Sequence, residues 1–138
     1  IKERIEKHKV EREGLGWKTI EEQINIIDII ETIEEGSEIL IDCLTLWINN
    51  LMFYSQNDLF EGEIKLKVNE IVESVRKNNN IIYLVTNEIG MGLVPSDKKT
   101  RLYRDLVGAC NRKVAELADE VVLVCCGIPQ RIKTIRDV

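Results

Sequence analysis

Residues 38–43, Glu-Ile-Leu-Ile-Asp-Cys, decide how the chain is read. A short apolar run, opened by Gly36-Ser37 and closed by an acid, has the length and composition of a buried strand. Two more runs of the same kind follow, IIYLVT at 81–86 and VVLVCC at 121–126. None alternates apolar with polar residues, and segments of helical length lie between them. Buried strands divided by helices predict an α/β fold with a mainly parallel sheet flanked by helices on both faces.

Working outward, residues 44–54 are apolar on most sides and predict a buried helix. A second helix is expected over 59–78, with Ile64, Val68, Ile71 and Val75 on one face, until Asn78-Asn79-Asn80 breaks it. A third spans 97–118, with Leu102, Leu106, Cys110, Val114 and Leu117 facing inward. Upstream, Thr19 and Glu22 have the spacing of a capping box. Ile20, Ile24, Ile27, Ile30 and Ile33 then recur at helical spacing up to Gly36. Residues 1–13 read as a polar helix closed by Gly14 and Gly16, and Trp17 and Trp47 are spaced like core residues. Repeats, linkers and low-complexity segments are absent, so residues 1–138 are expected to form a single domain.

Composition narrows the function. The 138 residues are 44% hydrophobic and 31% charged, with a formal net charge of -5 that disfavours nucleic acid as a partner. No apolar run approaches the ~20 residues of a membrane span. Cys43, Cys110, Cys125 and Cys126 form no C-x-x-C pair and sit in apolar or helical surroundings. With His8 as the single histidine, a zinc site is not expected. No signal peptide is evident, so a secreted disulfide framework is not expected either, and the chain reads as cytoplasmic.

In an open parallel sheet, ligands bind beyond the carboxyl ends of the strands. The first strand ends there in Asp42-Cys43-Leu44-Thr45 and the second in Thr86-Asn87-Glu88. An acid closing an apolar strand is the arrangement that holds Mg²⁺ in nucleotide-binding proteins. It is also the arrangement of a helix cap, a task Thr45 could take instead. Asn87, Glu88, Gly90 and Gly92 form either a polar pair with backbone open to a ligand or a surface turn. Arg101, Arg104 and Asp105 either meet phosphates or form a solvated helix face. His8, among Lys, Glu and Arg, does nothing by default. A neutral imidazole, with an ordinary pKa of about 6.5, can nevertheless attack phosphorus, and Lys9 and Arg12 are near enough to neutralise a phosphate beside it. No G-x-x-x-x-G-K-[ST] phosphate loop occurs.

Together these stretches resemble the bifunctional adenosylcobinamide kinase/adenosylcobinamide-phosphate guanylyltransferase family of cobalamin biosynthesis. The resemblance rests on Arg4-Ile5-x-x-His8-Lys9-x-x-Arg12, Trp17-x-Thr19-x-Glu21, ILIDCLTLWINNLM at 39–52 and LVTNEIGMGLVP at 84–95. It continues through RLYRDLVGACNRKVAELADEVVLVCCGIP at 101–129 and Lys133, and so covers almost the whole chain. It implies a RecA-like P-loop NTPase fold and a homotrimer. The implied chemistry is phosphorylation of the aminopropanol hydroxyl of adenosylcobinamide by a nucleoside triphosphate, ATP or GTP. GMP then passes from GTP to that phosphate through a guanylylated histidine. The family's histidine falls on His8, its nucleotide-contacting stretch on Lys9, Val10, Glu11 and Arg12, and its two acids on Glu21 and Asp42. Asp42 is the residue expected near Mg²⁺.

The family's first strand, phosphate loop and second strand have no counterpart here, so the chain reads as N-terminally truncated. On that expectation the parent protein is active, while this chain by itself is inert, self-associating or poorly soluble. A non-catalytic remnant that keeps the scaffold but binds no triphosphate is the alternative.

Overall fold

The computed structural model describes residue 10 and residues 14–55 and 59–135. In chain order the elements are α1 (Ile26–Glu31), β1 (Glu38–Asp42), α2 (Leu44–Tyr54), α3 (Glu61–Lys77), β2 (Ile81–Val85), a 3₁₀ turn (Ile89–Met91), α4 (Lys98–Leu117), β3 (Val121–Cys125) and β4 (Ile128–Lys133). The molecule is a mixed α/β protein with a small parallel sheet. β1 and β2 run parallel, with Glu38 beside Ile81 and Asp42 beside Val85, so their carboxyl ends are level.

Local chemistry explains the boundaries. The run of three asparagines ends α3 because Asn79 adopts φ 51°, a left-handed conformation that asparagine tolerates better than most residues. Asn78 accepts from the Gly36 amide at 3.1 Å, and Asn80 Oδ1 accepts from the Ser37 amide at 2.9 Å. The turn after α3 therefore sets the entry into β1, which explains how two strands 38 residues apart begin in register. At the start of α4, Asp97 Oδ1 accepts from the Thr100 amide at 2.8 Å, a side-chain cap. That bond holds the Asp97 carboxyl below its ordinary pKa. At the other end, Lys133 Nζ donates to the carbonyls of Ala115 (2.8 Å) and Glu116 (3.0 Å), where a cation is favoured by the helix dipole.

The core is helical. Leu44, Trp47, Ile48 and Leu51 of α2, Ile64, Val68, Ile71 and Val75 of α3, and Leu106, Val107 and Cys110 of α4 close around Ile39 of β1. The inward faces of the three long helices are those the apolar spacing predicts, and their ends fall within about two residues of expectation.

Several expectations are corrected. The third apolar strand does not join the parallel sheet: β3 pairs antiparallel with β4, and among the described residues this hairpin forms a sheet separate from β1–β2. Its turn, Cys126-Gly127, has φ 53° and 77°, the double positive φ of a type I′ hairpin. Nor is the parallel pair covered on both faces, since Leu40, Ile81, Tyr83 and Val85 are 39–53% exposed. The helix expected from about residue 20 begins only at Ile26. Trp47 Nε1 donates to the Ile24 carbonyl at 3.0 Å and Asn50 Nδ2 to that of Gln23 at 3.2 Å, which takes from these carbonyls the role of helix acceptors. No capping box forms with Thr19. Glu22 instead accepts from the Ile24 and Asn25 amides, both at 2.8 Å, which lowers its pKa. Finally, Trp17 is 49% exposed while Trp47 is 3% exposed, so only one tryptophan is a core residue.

The cysteines divide equally clearly. Cys125 and Cys126 are exposed, against expectation, and Cys110 is buried. Burial pushes the Cys110 thiol up to about 12. An unfolded chain ionises a thiol at about 8.5, so the preference of the fold for the neutral group is fully present below that pH. It is lost progressively as pH rises toward 12. Two outcomes are expected: denaturation midpoints in urea decline above about pH 9, and a thiol-specific reagent modifies Cys125 and Cys126 in the native protein but reaches Cys110 only on unfolding. Equal modification rates for all four would contradict the burial of Cys110.

Candidate functional site

The level carboxyl ends of β1 and β2 present Asp42 and Thr86-Asn87-Glu88 on one edge of the molecule. Behind Asp42, the start of α2 is pinned by several contacts. Cys43 Sγ lies 2.9 Å from Thr45 Oγ1, and Tyr103 of α4 donates its hydroxyl to the Thr45 carbonyl at 3.2 Å. Burial, and then the neighbouring Cys43, raise the Tyr103 pKa, which keeps the phenol a donor across the ordinary pH range. Thr45 is buried and does not cap α2, and Cys43 occupies the cap position without a side-chain bond to the amides of the first turn.

Beside it, the end of β2 is organised by a residue to which the sequence reading gave no role. Asn111 of α4 is 8% exposed and uses both ends of its amide. Its Nδ2 donates to the Asn87 carbonyl at 3.0 Å and to Glu88 Oε1 at 2.8 Å, while its Oδ1 accepts from Thr86 Oγ1 at 2.7 Å. Every residue of the Thr86-Asn87-Glu88 strand end is thus tied to one buried side chain. A cleft of ≈ 390 Å³ opens next to it, lined by Glu88, Gly90, Arg104, Asp105 and Asn111 from one side and by Glu61 of α3 from the other. Arg104 donates to the Gly90 carbonyl, and Arg101 to the carbonyls of Pro95 and Ser96. The two arginines thereby fold the glycine-bearing loop against α4.

Of the nucleotide-site residues expected from sequence, His8, Lys9, Glu11 and Arg12 lie outside the described residues. Val10 is 62% exposed. Glu21 is exposed on the extended segment that Trp47 and Asn50 of α2 anchor. Asp42 is exposed at its strand end. A single carboxylate of this kind fits Mg²⁺, which commonly takes one or two carboxylates, with phosphate and water completing the shell. Among the described residues no group of three or more His, Cys, Asp or Glu could hold a metal alone, and no helix is long and apolar enough to cross a membrane.

Three relatives share this arrangement of sequence. The bifunctional adenosylcobalamin biosynthesis protein CobU of Escherichia coli is 31% identical over 140 residues, covering 94% of this chain and 77% of its own length. Its namesake from Salmonella typhimurium is 33% identical over 140 residues, with the same coverage of 94% and 77%. The bifunctional adenosylcobalamin biosynthesis protein CobP of Pseudomonas aeruginosa is 31% identical over 131 residues, 94% of this chain and 73% of that protein. The family model for cobinamide kinase/cobinamide phosphate guanyltransferase matches residues 1–132, a span that takes in His8, Asp42, Glu88 and Asn111 alike. The chain belongs to the cobinamide kinase/cobinamide phosphate guanyltransferase family.

Proposed function

We propose that the protein phosphorylates a hydroxyl of adenosylcobinamide with ATP or GTP and then transfers GMP from GTP to the phosphate so formed, with His8 as the covalent carrier. Family membership over residues 1–132 carries this reading, and the level strand ends bearing Asp42 and Thr86-Asn87-Glu88 fit it, being where a RecA-like nucleotide fold binds its ligand.

In the guanylyl half-reaction, neutral His8 forms an N–P bond to the α-phosphorus of GTP as the bond to the bridging oxygen breaks and pyrophosphate leaves. The substrate phosphate then attacks the same phosphorus, and His8 departs as imidazole. A covalent carrier avoids bringing two polyanions together in one step. Lys9 and Arg12 supply positive charge beside His8, while Val10, Glu11 and Glu21 complete the nucleotide contacts. Asp42 would hold Mg²⁺, whose chemistry is to neutralise charge on the phosphates. Assembly as a homotrimer belongs to the same proposal.

The test is label transfer. With GTP labelled on its α-phosphate, the full-length protein should acquire acid-labile label, and with GTP labelled on its γ-phosphate no comparable label should remain. Label from the γ-position alone would indicate a phosphorylated rather than a guanylylated protein, and no label from either would overturn the carrier role.

A further inference from the structure

We propose that Glu88 is the general base of the phosphorylation step, taking the proton of the acceptor hydroxyl, and that Asn111 is the positioning residue that aims it. This rests on the kinase reading given above.

Geometry is the first support. Asp42 stands beside Val85, and Glu88 follows Val85 by three residues. Neighbouring strands are ~4.8 Å apart and three residues span at most ~11 Å, so the two Cα atoms lie within ~16 Å of each other. A triphosphate held at Asp42 and running along the sheet edge toward Glu88 would meet the ≈ 390 Å³ cleft, which leaves room for the acceptor.

The second support is that Glu88 has none of the usual structural occupations of a carboxylate. It begins the 3₁₀ turn without capping it. Arg104 and Arg112 line the same cleft, but Arg104 is engaged with the Gly90 carbonyl and Arg112 lies 3.8 Å from Glu61. Among the described residues no cation is paired with Glu88, whose carboxylate accepts from Asn111. The Glu88 carboxylate is thus held by a neutral amide rather than by a guanidinium.

The third support is Asn111 itself. A polar side chain at 8% exposure is costly to bury unless its bonds are made, and all of these go to the three residues ending in Glu88. One carboxylate oxygen, Oε1, is fixed at 2.8 Å from Nδ2, which orients the group.

The step balances simply. The hydroxyl proton passes to the Glu88 carboxylate while the oxygen bonds to the γ-phosphorus. The bond from that phosphorus to its bridging oxygen breaks, and the nucleoside diphosphate leaves with the electron pair. Glu88 afterwards returns its proton to water.

The experiment uses the full-length protein with adenosylcobinamide and ATP, and measures phosphorylation separately from labelling by α-labelled GTP. For Glu88→Gln, kcat for phosphorylation should fall about 10²–10⁴-fold, with both KM values within about threefold and guanylyl labelling intact. Asn111→Asp sets a second carboxylate beside Glu88 and should move the acid limb of the kcat–pH profile to higher pH. Phosphorylation by Glu88→Gln within threefold of wild type would overturn the proposal, as would loss of labelling in parallel with phosphorylation, or an unmoved profile in Asn111→Asp. Wild-type protein that phosphorylates nothing would instead overturn the kinase reading beneath it.

Discussion

A His8→Ala protein is expected to take up no covalent label from α-labelled GTP and to transfer no GMP, while still phosphorylating its acceptor. The effect should be total rather than graded, because alanine has no atom that can bond to phosphorus. His8 is the single histidine among these 138 residues. Lysine is the one competitor to exclude, since a lysine phosphoramidate is also acid-labile and Lys9 is the adjacent residue. The comparison that decides is therefore His8→Ala beside Lys9→Ala. Loss of label in the first, with reduced but persistent label in the second, assigns the carrier to His8 and charge neutralisation to Lys9. Label surviving His8→Ala and vanishing in Lys9→Ala would move the carrier by one residue. The pH dependence gives an independent reading, because an imidazole, with an ordinary pKa of about 6.5, loses its lone pair to a proton as pH falls. Labelling carried by an imidazole should slow in acid, whereas labelling by an ammonium-derived amine should demand alkaline conditions.

What the sequence revealed of this molecule divides along the range of the forces involved. The three long helices and the first two strands were legible because apolar spacing is a local record of which face is buried. The strand ends were legible for the same reason: once 38–43 and 81–86 are read as parallel strands, Asp42 and Thr86-Asn87-Glu88 must emerge on one edge. The shortened α1 was not legible, because the donors to Gln23 and Ile24 sit on α2, more than twenty residues away. The hairpin was missed because Cys126-Gly127 is an unusual pair for a type I′ turn and Pro129 argues against a strand. Asn111 follows Cys110 at the margin of the inward stripe of α4, where a polar residue resembles the solvated side of a helix. Its three partners lie 23–25 residues back in the chain. The available signal was joint: a polar residue beside a buried stripe, and a polar strand end with no partner assigned.

The packing of α4 offers the largest expected change in stability. Leu106 is 0% exposed and belongs to the cluster in which α4 meets α2 and α3. Leu106→Ala removes its buried methyls and leaves a cavity, at a cost of about 2–5 kcal/mol. Since a domain's whole stability is about 5–15 kcal/mol, the urea midpoint should fall by a large fraction, with the slope unchanged if the unfolded state is unaltered. Leu66, on the outer face of α3 and 62% exposed, is the matched control, and Leu66→Ala should stay within about 0.5 kcal/mol of wild type. Equal effects from the two leucines would contradict the packing of α4 described above. The loss at Leu106 should also reach the chemistry, because this helix carries Asn111 five residues further on and Arg104 two residues earlier. A looser α4 would let Glu88 and the Gly90 loop drift together. Phosphorylation should therefore suffer more than guanylyl labelling in Leu106→Ala at temperatures where the variant remains folded, and equal losses in both reactions would place the two half-reactions on the same support.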